Sequence, residues 1–190
     1  MTVTSILLAG VGGQGTILVA KILTSGLVES GRDVKMSEIH GMSQRGGSVS
    51  SQIRYGDKVW SPVIEKGGAD ILVAFEQMEA LRWLDYLNPA GKIVVNDYRI
   101  NPMPVVSGKA TYPGDILATL REKADTRVVD AGAEASALGN ARVMNIILLG
   151  ATIKGMGLEQ IDWDTIIRDN VKPAFVDINQ QALARGMELA

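Results

Sequence analysis

The sequence predicts an α/β protein: a three-layer α/β/α fold on a Rossmann-like, mostly parallel sheet, with an antiparallel hairpin and a helical C-terminal end. Three observations predict it. A continuous apolar run, Ser5-Ile-Leu-Leu-Ala-Gly10, ends in glycine, the pattern of a strand buried on both faces. A helical pattern from Gln14 and an alternating segment, Asp33-Val-Lys-Met-Ser37, complete a β-α-β unit and with it a parallel sheet. The segment Ser48 to Tyr55 then alternates, and Gly56-Asp57 turns it into Lys58-Val-Trp60, a hairpin signal that makes the sheet mixed.

The elements follow from residue patterns in chain order. Between Ile17 and Val28 the helix is apolar except for a stripe through Lys21, Ser25 and Glu29, so most of its surface is buried, with Gly31 placed to end it. In Ser48–Tyr55, Val49, Ile53 and Tyr55 share one face and Ser48, Gln52 and Arg54 the other. Ala69–Phe75 reads as a second buried strand. A helix carrying Met78, Leu81, Leu84 and Leu87 inward follows and is stopped by Asn88-Pro-Ala-Gly91, ahead of a strand over Lys92–Asn96. Tyr98 to Asp115, rich in proline and glycine, reads as an extended excursion with a small edge hairpin at Ser107-Gly108. Ile116–Lys123 is helical and Arg127–Asp130 a short strand. Helices over Asn140–Lys154, ending at Gly155, then Asp162–Asn170 and Pro173–Leu189 complete the chain. No repeat or composition break marks a second domain, so residues 1–190 read as one.

Composition narrows the chemistry. The 190 residues carry 19 Lys and Arg against 21 Asp and Glu, a formal net charge of -2, which argues against nucleic-acid binding and against an anionic membrane surface. The apolar run at Ile6–Ala9 is far too short to span a bilayer and lacks the flanks of a signal peptide, so a cytoplasmic location is expected. Cysteine is absent and histidine occurs once, which excludes thiol catalysis, disulfides, and thiolate-held zinc or iron–sulfur clusters on this chain. Glycine, at 21 residues, is enriched, and the glycines are therefore the place to look for a site.

Two glycine-rich segments stand out. Gly10-Val-Gly12-Gly13-Gln14-Gly15 is a G-x-G-x-x-G between a strand and a helix, where backbone amides and the helix N-terminus meet phosphate. The alternative role of its glycines is close packing of helix on strand. Glu38 stands near where a dinucleotide-binding fold places its ribose-binding acid, but it leads into a second segment foreign to that fold: Glu38-Ile-His40-Gly41-Met-Ser-Gln-Arg45-Gly46-Gly47-Ser48. Arg45 beside Gly46 and Gly47 offers a fork of donors for phosphate or carboxylate; its alternative is a solvated or interface ion pair. His40 is the single candidate for acid–base catalysis, against a hydrogen-bonding role in the loop, and no catalytic residue is assigned. The glycines also suit close approach of another subunit.

These two segments, with Val143-Met-Asn-Ile-Ile-Leu-Leu-Gly-Ala151, resemble the gamma-type subunit of 2-oxoacid:ferredoxin oxidoreductases, and the His-Gly-Met-x-Gln-Arg-Gly-Gly form most resembles the indolepyruvate branch. The resemblance runs from Ile6 to about Ala184 and implies that residues 1–190 are a single gamma-type catalytic domain. It implies oxidative decarboxylation of an aryl 2-oxoacid with coenzyme A (CoA) to aryl-acetyl-CoA, CO2 and reduced ferredoxin. Thiamine diphosphate, its magnesium and the iron–sulfur clusters are implied to sit mainly on a large alpha subunit, since this chain has no cysteine and no Gly-Asp-Gly…Asn pattern. Activity of the chain alone is not expected. Carried over, Gly12, Gly13, Gln14 and Gly15 form the phosphate-facing loop, with Arg45, Gly46 and Gly47 as the second wall; Gly10 and Glu38 complete the candidate cofactor-binding residues. Two other readings stay open: a stand-alone NAD(P)- or flavin-binding oxidoreductase, with Glu38 on the ribose, and a non-catalytic assembly module. A homodimer of the isolated chain is a further expectation, from Trp60, Trp83 and the proline-rich excursion as a patch needing cover.

Overall fold

The computed structural model describes residues 3–41 and 46–189. Its sheet has six strands: β1 (Val3–Val11), β2 (Asp33–His40), β3 (Ser48–Gly56), β4 (Ala69–Ala74), β5 (Leu87–Asn96) and β6 (Asp125–Val129). The helices are α1 (Thr16–Glu29), α2 (Gln77–Trp83), α3 (Met103–Val106), α4 (Ile116–Lys123), α5 (Ala131–Ala137), α6 (Met144–Met156), α7 (Trp163–Asn170) and α8 (Val176–Glu188).

The strand order is β2-β3-β1-β4-β5-β6. From β1 to β6 the pairings are parallel, whereas β3 is antiparallel to both β1 and β2. The β1-α1-β2 unit is therefore present, but β3 has slipped between its two strands. One core, formed with α1 and the C-terminal helices α5–α8, holds Ile6, Leu8, Leu23, Ile53 and Phe75. The opposite face packs Leu7, Leu72, Ile93 and Val95 against α2 and α4. Side chains alternate across the strands, as apolar strands covered on both faces require. Helix α6 is buried along nearly its whole length, and Gly150 meets Gly186 of α8 so closely that a Cβ at Gly150 would stand 2.2 Å from the Leu183 carbonyl oxygen. That approach accounts for the glycine within Val143–Ala151.

Four details depart from the sequence reading. The hairpin is β2–β3, because β3 is already paired on both sides and leaves no edge for Lys58–Trp60. Residues 57–68 instead lie irregularly over the sheet, held where Gln52 Oε1 accepts from Ile64 N at 2.6 Å and Arg54 donates to the carbonyls of Ser61 and Val63. Asn88–Gly91 does not end a helix. It lies inside β5 as a bulge, with register shifting between Ala69 and Ile71, and a Cβ on Gly91 would press into Leu87 at 2.6 Å. Ser107-Gly108 ends the short helix α3 rather than turning a hairpin, Gly108 taking φ 71°. Helix α6 runs past Gly155 to Met156 and is capped by Gly157, φ 66°.

Candidate functional site

The carboxyl ends of the parallel strands form one edge of the sheet, and the first glycine segment and the described part of the second lie there. They are joined: Gly12 N donates to Gly47 O at 2.8 Å and Gly46 N to Gly12 O at 3.2 Å. Within the first loop the glycines divide their work. A Cβ on Gly10 would stand 2.9 Å from Thr16 Cγ2, and one on Gly15 (φ 80°) 2.4 Å from Asn145 Nδ2, so both are packing positions. Gly13, φ 105°, has nothing within 4 Å of its Cβ position and is exposed. Gln14 bridges two strands rather than facing outward: its Nε2 donates to Phe75 O at 2.9 Å and its Oε1 accepts from Val11 N at 2.8 Å.

Helix α1 opens from this loop with Gly15 as its cap, no side-chain acceptor on its first amides and no acidic residue in its first turn. Its first-turn N–H groups are thus left for water or an anion. Two clefts flank the loop. One, of about 560 Å³, is lined by Val11, Gly46, Gly47, Glu76, Glu79 and Met103. The other, of about 340 Å³ on the α6 side, is lined by Leu18, Arg142, Asn145, Lys172 and Phe175. Neither Arg142 nor Lys172 forms an ion pair among the described residues.

Sequence reasoning missed the buried polar groups that hold this edge. Asn96, fully buried, donates to Phe75 O and accepts from Ala131 N, so the Phe75 carbonyl takes both Asn96 and Gln14. Glu76, 1% exposed, accepts from Glu79 N, Ile100 N and the Tyr112 hydroxyl. Burial, then the bond to Glu76, raises the Tyr112 phenol well above its ordinary value. Glu79 accepts from Ser48 Oγ and from Arg82 Nε, tying the second glycine segment to α2. The only signal for these in sequence is a run of polar residues directly after a buried strand.

The outer members of the predicted site are less well gathered. Because β3 intervenes, Glu38 sits two strands from β1, level with Leu8 through Ser51, and its side chain is exposed. His40 is likewise exposed at the end of β2, its Nδ1 3.2 Å from Gly41 O. Arg45 lies outside the described residues. No helix is long and apolar enough to cross a membrane among the described residues.

Residues 5–189 match the family model for pyruvate ferredoxin/flavodoxin oxidoreductase. The chain is 36% identical to an indolepyruvate oxidoreductase subunit IorB of Pyrococcus horikoshii over 98% of its own length and 95% of the relative's. It is 34% identical to the Thermococcus kodakarensis protein of the same name, again over 98% of this chain and 95% of the other. Among solved structures, a keto/oxoacid ferredoxin oxidoreductase gamma subunit from Geobacter sulfurreducens superposes with TM-score 0.72 at 23% identity, over 98% of each chain. A 2-oxoglutarate:ferredoxin oxidoreductase from Magnetococcus marinus, with 2-oxoglutarate, coenzyme A and succinyl-CoA bound, gives TM-score 0.79 at 18% identity, over 100% of this chain and 31% of that one. At those identities the structures speak for the fold, while the family match and the relatives speak for descent. The chain belongs to the pyruvate ferredoxin/flavodoxin oxidoreductase family.

Proposed function

We propose that this chain, as residues 1–190, is the gamma-type subunit of a 2-oxoacid:ferredoxin oxidoreductase acting on indolepyruvate or a related arylpyruvate, and that its part in the reaction is to hold coenzyme A. The overall reaction converts the 2-oxoacid and CoA to the aryl-acetyl-CoA and CO2 and passes the electrons to ferredoxin. The substrate class rests on the relatives of about 36% identity named indolepyruvate oxidoreductase subunit.

The observation that carries the CoA role is the uncapped start of α1, opening from glycines that leave Gly13 exposed and lying between two clefts. Phosphates of CoA meet the Gly12–Gly15 loop and the first amides of α1, with Arg142 and Lys172 adding charge from the α6 side. Gly46 and Gly47 form the opposite wall. Gln14, Asn96 and Asn145 position the loop without touching the ligand. Glu38 and His40 stand at the rim and carry no chemical step.

The redox groups belong elsewhere. With no cysteine, and no trio of His, Cys, Asp or Glu set to hold a metal among the described residues, the chain does not fit an iron–sulfur cluster or a magnesium diphosphate. A large partner subunit supplies both, and ferredoxin docks to the assembled complex.

The test is titration of the full chain with CoA, followed by amide NMR. The proposal expects shifts at Gly12, Gly13, Gly15 and Thr16. CoA binding that leaves these amides unmoved, or no binding to either chain or complex, overturns it.

A further inference from the structure

The sheet ends at β2, and its outer edge has no partner strand among the described residues. An eight-residue open edge is a ready template for another strand, and proteins ordinarily blunt such edges. This one is instead flanked by exposed apolar side chains on both faces. On the α1 side stand Met36, 38% exposed, and Val28, more than half exposed, on the outer stripe of the helix. Thr24 Oγ1 donates to Met36 Sδ at 3.4 Å, fixing the strand beside that stripe. On the other face are Ile39 and Trp60, the latter 86% exposed. Trp60 is held at the Asp33 end of the edge, where Val59 N donates to Asp33 Oδ2 at 2.9 Å.

We infer that β2 is the interface of a twofold dimer, in which two copies of this chain pair antiparallel through their β2 edges into one continuous sheet. An open strand flanked on both faces matches a strand whose side chains alternate to both faces, and an isologous contact needs only this one surface. Charge selects the register. A twofold axis through Lys35 or through Glu38 would set like charges directly opposite each other, which destabilises the pair. An axis at Ser37 brings the two Glu38 carboxylates into diagonal reach. An axis at Met36 places Met36 against its twin, Glu38 opposite Val34 and in diagonal reach of Arg32, and Asp33 opposite Ile39; the like charges it brings into diagonal reach are the two Lys35 ammoniums. Lys35 is already paired with Asp33 in its own chain. The Met36-centred register is therefore the one assigned. It is independent of the CoA reading.

The absence of cysteine makes the test clean, because one introduced thiol has only its twin to react with. Directly opposed residues in an antiparallel pair lie about 4.5–5.5 Å apart at Cα, within disulfide reach. The full-length Met36→Cys chain is expected to cross-link to a covalent dimer on mild oxidation, while Lys109→Cys, on the distant excursion, is not. By ultracentrifugation the unmodified chain is expected to be a dimer and Met36→Lys a monomer that keeps the far-UV circular dichroism of the unmodified chain. Mixing Met36→Lys with Met36→Glu is expected to restore a dimer containing one of each. A monomeric unmodified chain overturns the inference, as does a dimer untouched by Met36→Lys. Cross-linking of Met36→Cys to a different polypeptide in the purified complex also overturns it, by giving the edge to another partner.

Discussion

Two neighbouring strands, β1 and β4, run parallel into helices at the same sheet edge, yet their corners are built in opposite ways. At the β4–α2 corner the chain supplies its own anions: Glu76 caps α2 by accepting from Glu79 N, and Glu79 occupies the first turn. At the β1–α1 corner glycine caps the helix, no side chain accepts from its amides, and the first turn carries no acid. The amides that α2 satisfies internally are left open by α1. The open amides stand at the α1 corner, while the α2 corner has a structural task, joining the second glycine segment and the 98–112 excursion to the sheet through buried carboxylates.

Removing the carboxylate at the α2 corner carries the largest expected penalty. Glu76→Ala takes away a helix cap, worth about 1 kcal/mol. It also strands partly buried donors at Ile100 and Tyr112, costing roughly 1–3 kcal/mol more. Chemical denaturation should show a loss of about 2–4 kcal/mol, with Glu76→Gln, which keeps one acceptor oxygen, losing less. A null result for Glu76→Ala would mean that α2 is not held by this group.

At the α1 corner, Gly15→Ala forces a side chain into the left-handed region and against Asn145, for an expected loss of roughly 2 kcal/mol. Combining it with Asn145→Ala should return part of that loss, because the two substitutions share one contact. Strict additivity would show that backbone conformation alone sets the cost.

The smallest effect concerns acid. The Lys35 hydrogen bond, with the Val59 amide, lowers Asp33 to about 2 from 3.8. A depressed carboxylate contributes its stability fully above the unfolded value and loses it as pH falls toward the folded one. Between about pH 3.8 and about pH 2 the denaturation midpoint should therefore drop more for the unmodified chain than for Asp33→Asn. Equal slopes would remove Asp33 from the account of how residues 57–68 are anchored.

Much of this architecture was legible in the residues, and the part that was not has a common cause. Buried strands such as Ser5–Gly10 and Ala69–Phe75, and the helix Ile116–Lys123, carry their apolar pattern locally and stand where the sequence places them. Partner choice is not local. The alternation in Ser48–Tyr55 marks a strand, but nothing in it says that β2 precedes it in the hairpin or that β1 takes its other edge. The face carrying Gln52 and Arg54 is covered by residues 57–68, which those side chains hold by bonding that segment's backbone, and its alternation alone says nothing of that cover. Asn88-Pro-Ala-Gly91 has turn chemistry that a β-bulge uses equally well. In the candidate site, the two glycine loops could be read from spacing, and their facing each other from the family resemblance. Glu76, Asn96 and Asn145 could not, because each acts through a backbone atom far away in sequence.

In the proposed CoA role, the bare N-terminus of α1 receives the phosphates. Ile17 lies in the first turn of α1 and is 55% exposed. A carboxylate there interacts favourably with the helix N-terminus, by about 0.5 kcal/mol, while repelling an anionic ligand from the same amides. Titrating CoA into the unmodified and Ile17→Glu chains, with melting curves alongside, separates fold from binding. The account predicts at least tenfold weaker CoA binding in Ile17→Glu with melting unchanged or raised. Equal affinity in the two chains would contradict it.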